Sequence, residues 1–300
     1  MRRRQAGIAA LTAILVVAVA ASAATMMLSQ QSAMLDQTML VASRAQAEQY
    51  AAAGLDWARG VLAQDARASE TDSLDEGWAK PIVGLPVERA VVAGAIADEQ
   101  GKVNLNNLVK GASRSEPDVQ AFRRLLIALS LSPELSEPLV EWLLPNGSDA
   151  PYLALPRPYR AAKGPISQVD ELYRVRGFDA RIIERLRPHV TALPGRTRLN
   201  ANTAGEQVLA AVLDGAPDKV TALASARAKK PFATATAFEQ AARDLGLNPA
   251  ADTFDAKSLW FSVLVRVQQD DVLLGMEALV RRGDTREGGT TTVAWKRPRY

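Results

Sequence analysis

MRRRQAGIAALTAILVVAVAASAATMMLSQ, residues 1–30, opens the chain with three arginines and then an apolar run, and no charge occurs between residues 5 and 35. A charge near the middle of a bilayer costs roughly 2.5 to 3.5 kcal/mol, so about 20 uncharged and mostly apolar residues read as a membrane span. Residues 8–28 are long enough. Arg2, Arg3 and Arg4 precede the span with no matching basic cluster just after it, which places the N-terminus in the cytoplasm and exports the rest. Ala21-Ser22-Ala23 would also serve as a cleavage site for an ordinary signal peptide. Against that, the chain stays helical in pattern beyond Asp36. Leu40, Ala47, Gly54, Leu55, Trp57, Ala58, Val61 and Leu62 form an apolar face, and the first proline is Pro81. Span and amphipathic stretch together predict one helix of about 50 residues, half in lipid and half against a soluble domain.

Downstream, residues 65–80 read as a polar linker. Residues 87–98 and 102–106 read as a β-hairpin about the turn Asp98-Glu99-Gln100-Gly101, with glycine supplying a positive φ. Short helices are expected over residues 118–131, 132–144, 167–175 and 179–186, then over residues 202–213 (capped by Asn202-Thr203-Ala204), 218–228 and 235–245. Strands return at residues 257–268, where Leu259, Phe261, Val263, Val265 and Val267 share a face, and at 272–281 and 290–296, with Asp270-Asp271 in a turn. Strands flanking roughly 150 helical residues describe an α+β fold: a long helix packed on an antiparallel sheet, with an all-α insertion.

The 300 residues are 48% apolar with net charge +3, and three of the positive charges are the leader arginines. The remainder is close to neutral and makes no electrostatic case for nucleic acid. There is no cysteine, which excludes disulfides and thiolate metal sites. No nucleophile elbow, Walker loop, HExxH or dinucleotide fingerprint appears, so no catalytic residue is assigned and no enzyme is expected. The single histidine, His189, reads as a packing residue at a helix end. Asp98-Glu99 and Asp270-Asp271 read as solvated turn acids. Glu171-Leu172-Tyr173-Arg174-Val175-Arg176-Gly177-Phe178, with Ile183 and Leu186, is similar to a helix-hairpin-helix, whose glycine turn brings backbone amides to a phosphate. Its second glycine is replaced by Asp179, which would repel phosphate. Arg174, Arg176 and Arg181 are then solvated charges. Trp57 and Leu62 are candidates for a partner-facing patch or for core.

Arg2-Arg3-Arg4-Gln5-Ala6-Gly7 before Ile8-Ala9-Ala10-Leu11-Thr12 resembles the leader cut by prepilin peptidase. That resemblance implies cleavage after Gly7, N-methylation of Ile8, and Thr12 at the fifth mature position, where most such proteins carry glutamate. Asp98-Glu99-Gln100-Gly101-Lys102-Val103-Asn104-Leu105-Asn106, Pro158-Tyr159-Arg160-Ala161-Ala162, Glu171-Leu172 with Gly177-Phe178, and Leu199-Asn200-Ala201-Asn202-Thr203-Ala204 resemble, in order, the K-type minor pseudopilins of type II secretion systems.

The resemblance implies a leader (residues 1–7), a transmembrane and pilin helix (8–64), a pilin-like α/β domain (65–106 with 251–300) and two SAM-like helical parts (107–197 and 198–250). It implies a single-pass inner-membrane protein with a periplasmic C-terminal domain. Such a subunit would cap the pseudopilus tip with I- and J-type minor pseudopilins, then other pseudopilins, and meet exported substrates. In a pilin-like filament the glutamate neutralises a neighbour's N-terminal ammonium, and Thr12 cannot. K-type proteins commonly hold calcium in an acidic loop after a Trp-containing helix. Here Asp149 is the sole carboxylate between Glu141 and Asp170, so that site is expected to be absent or weak and no cofactor is assigned. The alternative is a membrane-anchored nucleic-acid-binding protein of a competence or type IV pilus system using residues 171–186. A secreted hydrolase with a removed signal peptide is a third reading.

Overall fold

The computed structural model describes residues 2–283 and 287–299. The side chains of residues 2–10 are not among those described, so the expectations for Arg2, Arg3, Arg4, Gly7 and Ile8 lie outside the described residues. Helix α1 (Arg2–Ala68) has 67 residues, about 100 Å at 1.5 Å per residue. It is longer than the expected 50 residues at both ends: residues 2–7 are helical ahead of the span, and residues 65–68, read as linker, continue it. The helix holds there because Ala66 is buried and Asp65 is bonded to Arg282.

Along the C-terminal half of α1, Ala47, Ala51, Leu55, Ala58, Leu62 and Ala66 are buried at a spacing of three or four, one stripe of a 3.6-residue helix. That stripe lies on one face of a five-stranded antiparallel sheet, β1 (Ile82–Val87), β2 (Ala90–Asp98), β3 (Trp260–Gln269), β4 (Val272–Arg282) and β5 (Thr291–Arg299), in that spatial order. The inward set of β3 is Phe261, Val263, Val265 and Val267, each at most 3% exposed. The alternation follows the period of two that the sequence showed; Leu259 lies just ahead of the strand and is half-buried. Small residues on α1 let backbone and sheet approach closely. A Cβ on Gly54 would sit 2.9 Å from Val265 Cγ1.

Two strand assignments are corrected. Residues 102–106 do not pair with β2, whose neighbours are β1 and β3. Instead Val103–Asn104 pairs in parallel with Val190–Thr191. β1 escaped the pattern because Gly84 and Pro86 disguise it, and it can carry both because it is an edge strand with one side unpaired. The linker region also has structure: a short 3-10 turn, Gly77–Ala79, buries Trp78 edge-on to Phe261 at 5.2 Å between ring centroids.

Between β2 and β3 lies the helical insertion, comprising α2 (Glu116–Ala128), α3 (Ser136–Leu143), α4 (Ala150–Leu153), α5 (Ala180–Leu186), α6 (Glu206–Leu213), α7 (Pro217–Lys229) and α8 (Ala235–Asp244). One cluster of buried side chains, including Phe122, Leu139, Ile183, Leu209 and Phe238, runs through it. Asn202-Thr203-Ala204 does not cap α6, whose N-cap is Gly205. Asn202 instead braces the chain at Phe232, donating to its carbonyl at 3.0 Å and accepting from its amide at 2.8 Å.

Asp98 and Glu99 are not solvated. Both are over 90% buried where the insertion departs. Asp98 accepts from Gln100 N (2.7 Å), Thr203 Oγ1 (2.6 Å), Ser258 Oγ (2.7 Å) and Asn200 Nδ2 (2.9 Å). Asn200 Nδ2 also reaches the Asp72 carbonyl at 3.1 Å. Glu99 accepts from Thr191, Ser262 and Lys102. Gly101 has no positive φ; a Cβ there would meet Thr203 Oγ1 at 2.8 Å, so close approach is what demands glycine. Asp270 is exposed, as read, in the β3–β4 turn, where it accepts from Ser43 of α1 and pairs with Arg89.

Burial pushes the Asp98 carboxyl up to about 6, with its hydroxyl and amide donors pulling the other way. Its folded pKa then exceeds that of the unfolded chain, so the folded form holds an extra proton between pH of about 4 and 6. This contribution, on the order of 3 kcal/mol, is fully present below about pH 4 and lost as pH rises through 6. Denaturation of the full chain in detergent micelles across pH 4 to 7 should show a falling stability in the wild type and a shallower fall in Asp98→Asn, where Asp65, also pushed up to about 6 chiefly by burial, keeps its share. Asn200→Ala strands buried partners and should cost roughly 3 kcal/mol in the same measurement. Gly54→Val should cost about 1 to 3 kcal/mol by overpacking against Val265.

Candidate functional site

Residues 11–42 of α1 are exposed throughout, among them Leu11, Ile14, Val17, Met27 and Met34. None of the other described residues covers them. A soluble surface of this apolarity over eight turns requires lipid or other helices as its surroundings. Among the described residues this is the one helix long and apolar enough to cross a membrane. Three of its hydroxyls are satisfied internally: Ser22, Thr25 and Thr38 each donate to the carbonyl four residues back at 2.8 Å, so these three add little polar cost in hydrocarbon. Thr12 lies on this exposed stretch and brings no charge to it.

Where α1 meets the sheet, the two candidates for a partner-facing patch separate. Leu62 is fully buried in the core, whereas Trp57 is 56% exposed. Trp57 stands at a groove of about 290 Å³ between α1 and the β1–β2 edge, with Tyr50, Ile82, Leu85 and Val92 among its walls. Polar pins flank this region. The Tyr50 hydroxyl donates to Glu88 at 2.7 Å, which holds the β1–β2 turn to the helix.

In the insertion, Asp149 is only 12% exposed at its side chain and is already matched with a cation, Lys163 Nζ at 2.7 Å. Its other oxygen accepts from Ala161 N at 3.0 Å. The Lys163 bond leads in holding its pKa below the ordinary carboxylate value, against the effect of burial. The loop itself is anchored by aromatics: Trp142 stacks edge-on with Tyr152, and the Tyr159 hydroxyl donates to the Arg174 carbonyl. A calcium ion requires several oxygen ligands; here Asp149 carries the Lys163 ammonium, and Glu141 of α3 accepts from Ser148 N at 3.2 Å.

The helix-hairpin-helix-like segment folds as a short 3-10 helix, Val169–Arg174, and α5 about Gly177 at φ +91°. Asp179 caps α5, accepting from Ile182 N at 2.8 Å. The side chain thus takes the place at the helix N-terminus where a phosphate would bind. Arg174, Arg176 and Arg181 are exposed. His189 is half-buried at the end of α5, and burial, with Lys102 next, lowers its pKa. Its carbonyl accepts from Val103 N at 2.9 Å, so its backbone joins insertion to turn.

Sequence reasoning missed a second cluster at the foot of α1. Arg282, fully buried at the end of β4, binds Asp65 and Asp72 with its guanidinium and lies 4.6 Å over the Phe261 ring. Its sequence signal was weak: Arg281 and Arg282 close the strand together, and nothing local tells the buried arginine from its half-buried neighbour.

Comparisons with known proteins agree with this geometry. Residues 101–195 and 199–257 match the two family models described as "Type II secretion system (T2SS), protein K". Type II secretion system protein K of Pseudomonas aeruginosa is 31% identical over 94% of this chain and 90% of its own length. The proteins of that name from Pectobacterium carotovorum and Aeromonas hydrophila are 29% and 28% identical, over 90% and 94% of this chain and 90% and 94% of their own. The fold is similar to a chain in the crystal structure of the GspK-GspI-GspJ complex from the enterotoxigenic Escherichia coli type 2 secretion system. That match has a TM-score of 0.71 at 22% identity and covers 88% of this chain and 99% of that one. An exposed apolar helix joined to a sheet with a helical insertion, and relatives matched over nearly their full length, lead to one conclusion: the chain belongs to the type II secretion system protein K family, the K-type minor pseudopilins.

Proposed function

We propose that this subunit occupies the tip of the pseudopilus, where it starts or caps assembly with I- and J-type minor pseudopilins and is followed by the other pseudopilins. The observation that carries the reading is α1 itself: residues 11–42 expose an uninterrupted helical surface that carries Thr12 where a glutamate would be needed. A buried carboxylate on one helix offsets the N-terminal ammonium of its neighbour, and an unpaired charge in that environment is costly. A subunit without the carboxylate offers no such partner to a subunit stacked above it. The helical insertion adds bulk at the far end of the sheet. The solved relative's complex with GspI and GspJ supports the choice of partners.

Before assembly, the same helix anchors the chain in the inner membrane, with Arg2, Arg3 and Arg4 on the cytoplasmic side and the insertion in the periplasm. Prepilin peptidase cleaves after Gly7 and Ile8 becomes the methylated N-terminus. The role is structural rather than enzymatic, and the exposed insertion is where exported substrates would be met. The loop at Asp149 holds no calcium in this reading, since Lys163 already neutralises it. The nucleic-acid alternative is disfavoured by Asp179, whose carboxylate caps the helix end a phosphate would use.

Mass spectrometry of the mature chain tests the reading: cleavage after Gly7 with one added methyl group is expected, and an N-terminus beyond Ser22 would sink it. In cells making the secretion system, Thr12→Glu should let the subunit enter the filament body, seen as new crosslinks to subunits above it. Duplex DNA at low salt should not be retarded in a gel. Binding that weakens steeply with salt would favour the alternative.

A further inference from the structure

At the foot of α1 three carboxylates converge. Asp65 is in the last turn of the helix, Asp72 lies in the segment after it, and Glu76 immediately precedes the Gly77–Ala79 turn. One oxygen from each lies within 4.8 Å of the other two. Their cationic partner is Arg282, whose guanidinium spans Asp65, Asp72 and the Ser258 carbonyl, while Glu76 accepts from the neutral donors Ser69 Oγ, Ser73 N and Trp78 Nε1. Lys257, nearby, donates instead to the Ser69 carbonyl and lies 3.9 Å from Glu70. Three negative charges against one positive leave an excess of two.

A second observation points to a missing ligand. Asp72 is fully buried, and its Oδ1 has no hydrogen-bond donor among the described residues. Its Oδ2 is taken by Arg282 and by Ser258 N. A buried carboxylate oxygen left without a donor is costly, and native structures almost always satisfy such atoms.

We propose that Asp65, Asp72 and Glu76 form a binding site for one divalent cation, calcium, beside the Arg282 guanidinium. The donors are all oxygen, which selects a hard cation over a transition metal. The excess of two negative charges matches a dication. Calcium tolerates irregular, water-completed coordination, whereas magnesium demands a near-octahedral shell that a guanidinium in the same pocket would obstruct. The ion joins the last turn of the membrane helix to the segment entering β1, and so fixes how α1 leaves the sheet. The site is separate from the loop at Asp149 and does not depend on the subunit's place in the filament.

Trp78 supplies a reporter, because its indole Nε1 donates to Glu76 Oε2 at 2.7 Å. The full chain in detergent micelles is titrated with terbium chloride while tryptophan is excited. Sensitised terbium emission is expected, displaced by calcium chloride, with affinity weakened roughly 10-fold or more in Asp72→Asn and in Glu76→Gln. Asp149→Asn, beside Trp142, should leave the emission unchanged. Circular dichroism confirms that each variant is folded, and Glu76→Gln decides the question where Asp72→Asn fails to fold. Absence of emission in the wild type, emission that persists in Glu76→Gln, or emission lost in Asp149→Asn overturns the proposal.

Discussion

Everything in this molecule hangs on a buried polar junction in which Asp98, Asn200, Ser258, Asp72 and Arg282 are joined by hydrogen bonds. Asp72 follows the end of α1, Asp98 ends β2, Arg282 ends β4, and Asn200 belongs to the insertion. Asp72 is paired with Arg282, and Asp98 is held by neutral donors alone; removing one member of the buried ion pair leaves the other uncompensated, typically at a cost of about 3 to 5 kcal/mol. The junction therefore specifies more than it stabilises. An apolar replacement could be as stable, but it would not dictate which residue of the insertion faces which strand. Two separately packed cores, that of the helix on the sheet and that of the insertion, acquire a single mutual arrangement from it.

Much of this was legible in the sequence wherever one physical signal dominated. The charge-free run after Arg4 and the three-four spacing from Ala47 to Leu62 gave α1, and the strict alternation from Phe261 to Val267 gave β3. The helices expected from residues 132 and 179 open at Ser132 and Asp179, each of which accepts from a backbone amide there, although Asp179 reads from the sequence as a charge and not as a cap. The misreadings have a common cause. Gly84 and Pro86 hid an edge strand because local propensity does not know which strand lacks a neighbour. Asp98 and Glu99 read as solvated because adjacent acids in a turn usually are, while their partners at Thr203, Ser258 and Thr191 lie roughly a hundred or more residues away. Asn202-Thr203-Ala204 read as a helix cap for the same reason. Its side chains serve contacts distant in sequence, and local rules cannot see those.

The long helix divides its surface between two tasks at a definite level. Below Ser43 it belongs to the sheet, and above it to lipid or to other helices. The change is marked by polar contacts rather than by a break: Ser43 with Asp270, Asp270 with Arg89, and Tyr50 with Glu88. These bonds hold the two turns at that end of the sheet against the helix, while an unbroken backbone carries the apolar half onward. A subunit built this way can exchange surroundings along the upper half with no change in the packing of the lower.

The insertion enters after Asp98 and returns at Trp260, and Asp98 lies directly across from Phe261 in the sheet. β2 and β3 are thus the two arms of a hairpin whose loop has grown to about 160 residues. Closing a floppy loop of that length would cost about 4 to 5 kcal/mol in chain entropy before the first ladder bond forms. Once the helical cluster has condensed, its two ends emerge side by side, and the effective loop shrinks to a few residues. The order of events in folding is then set by geometry: the insertion acts as a ready-made turn, and the sheet zips from it. The same arrangement leaves the insertion free to vary in size between relatives, because the strands register only the distance between its ends.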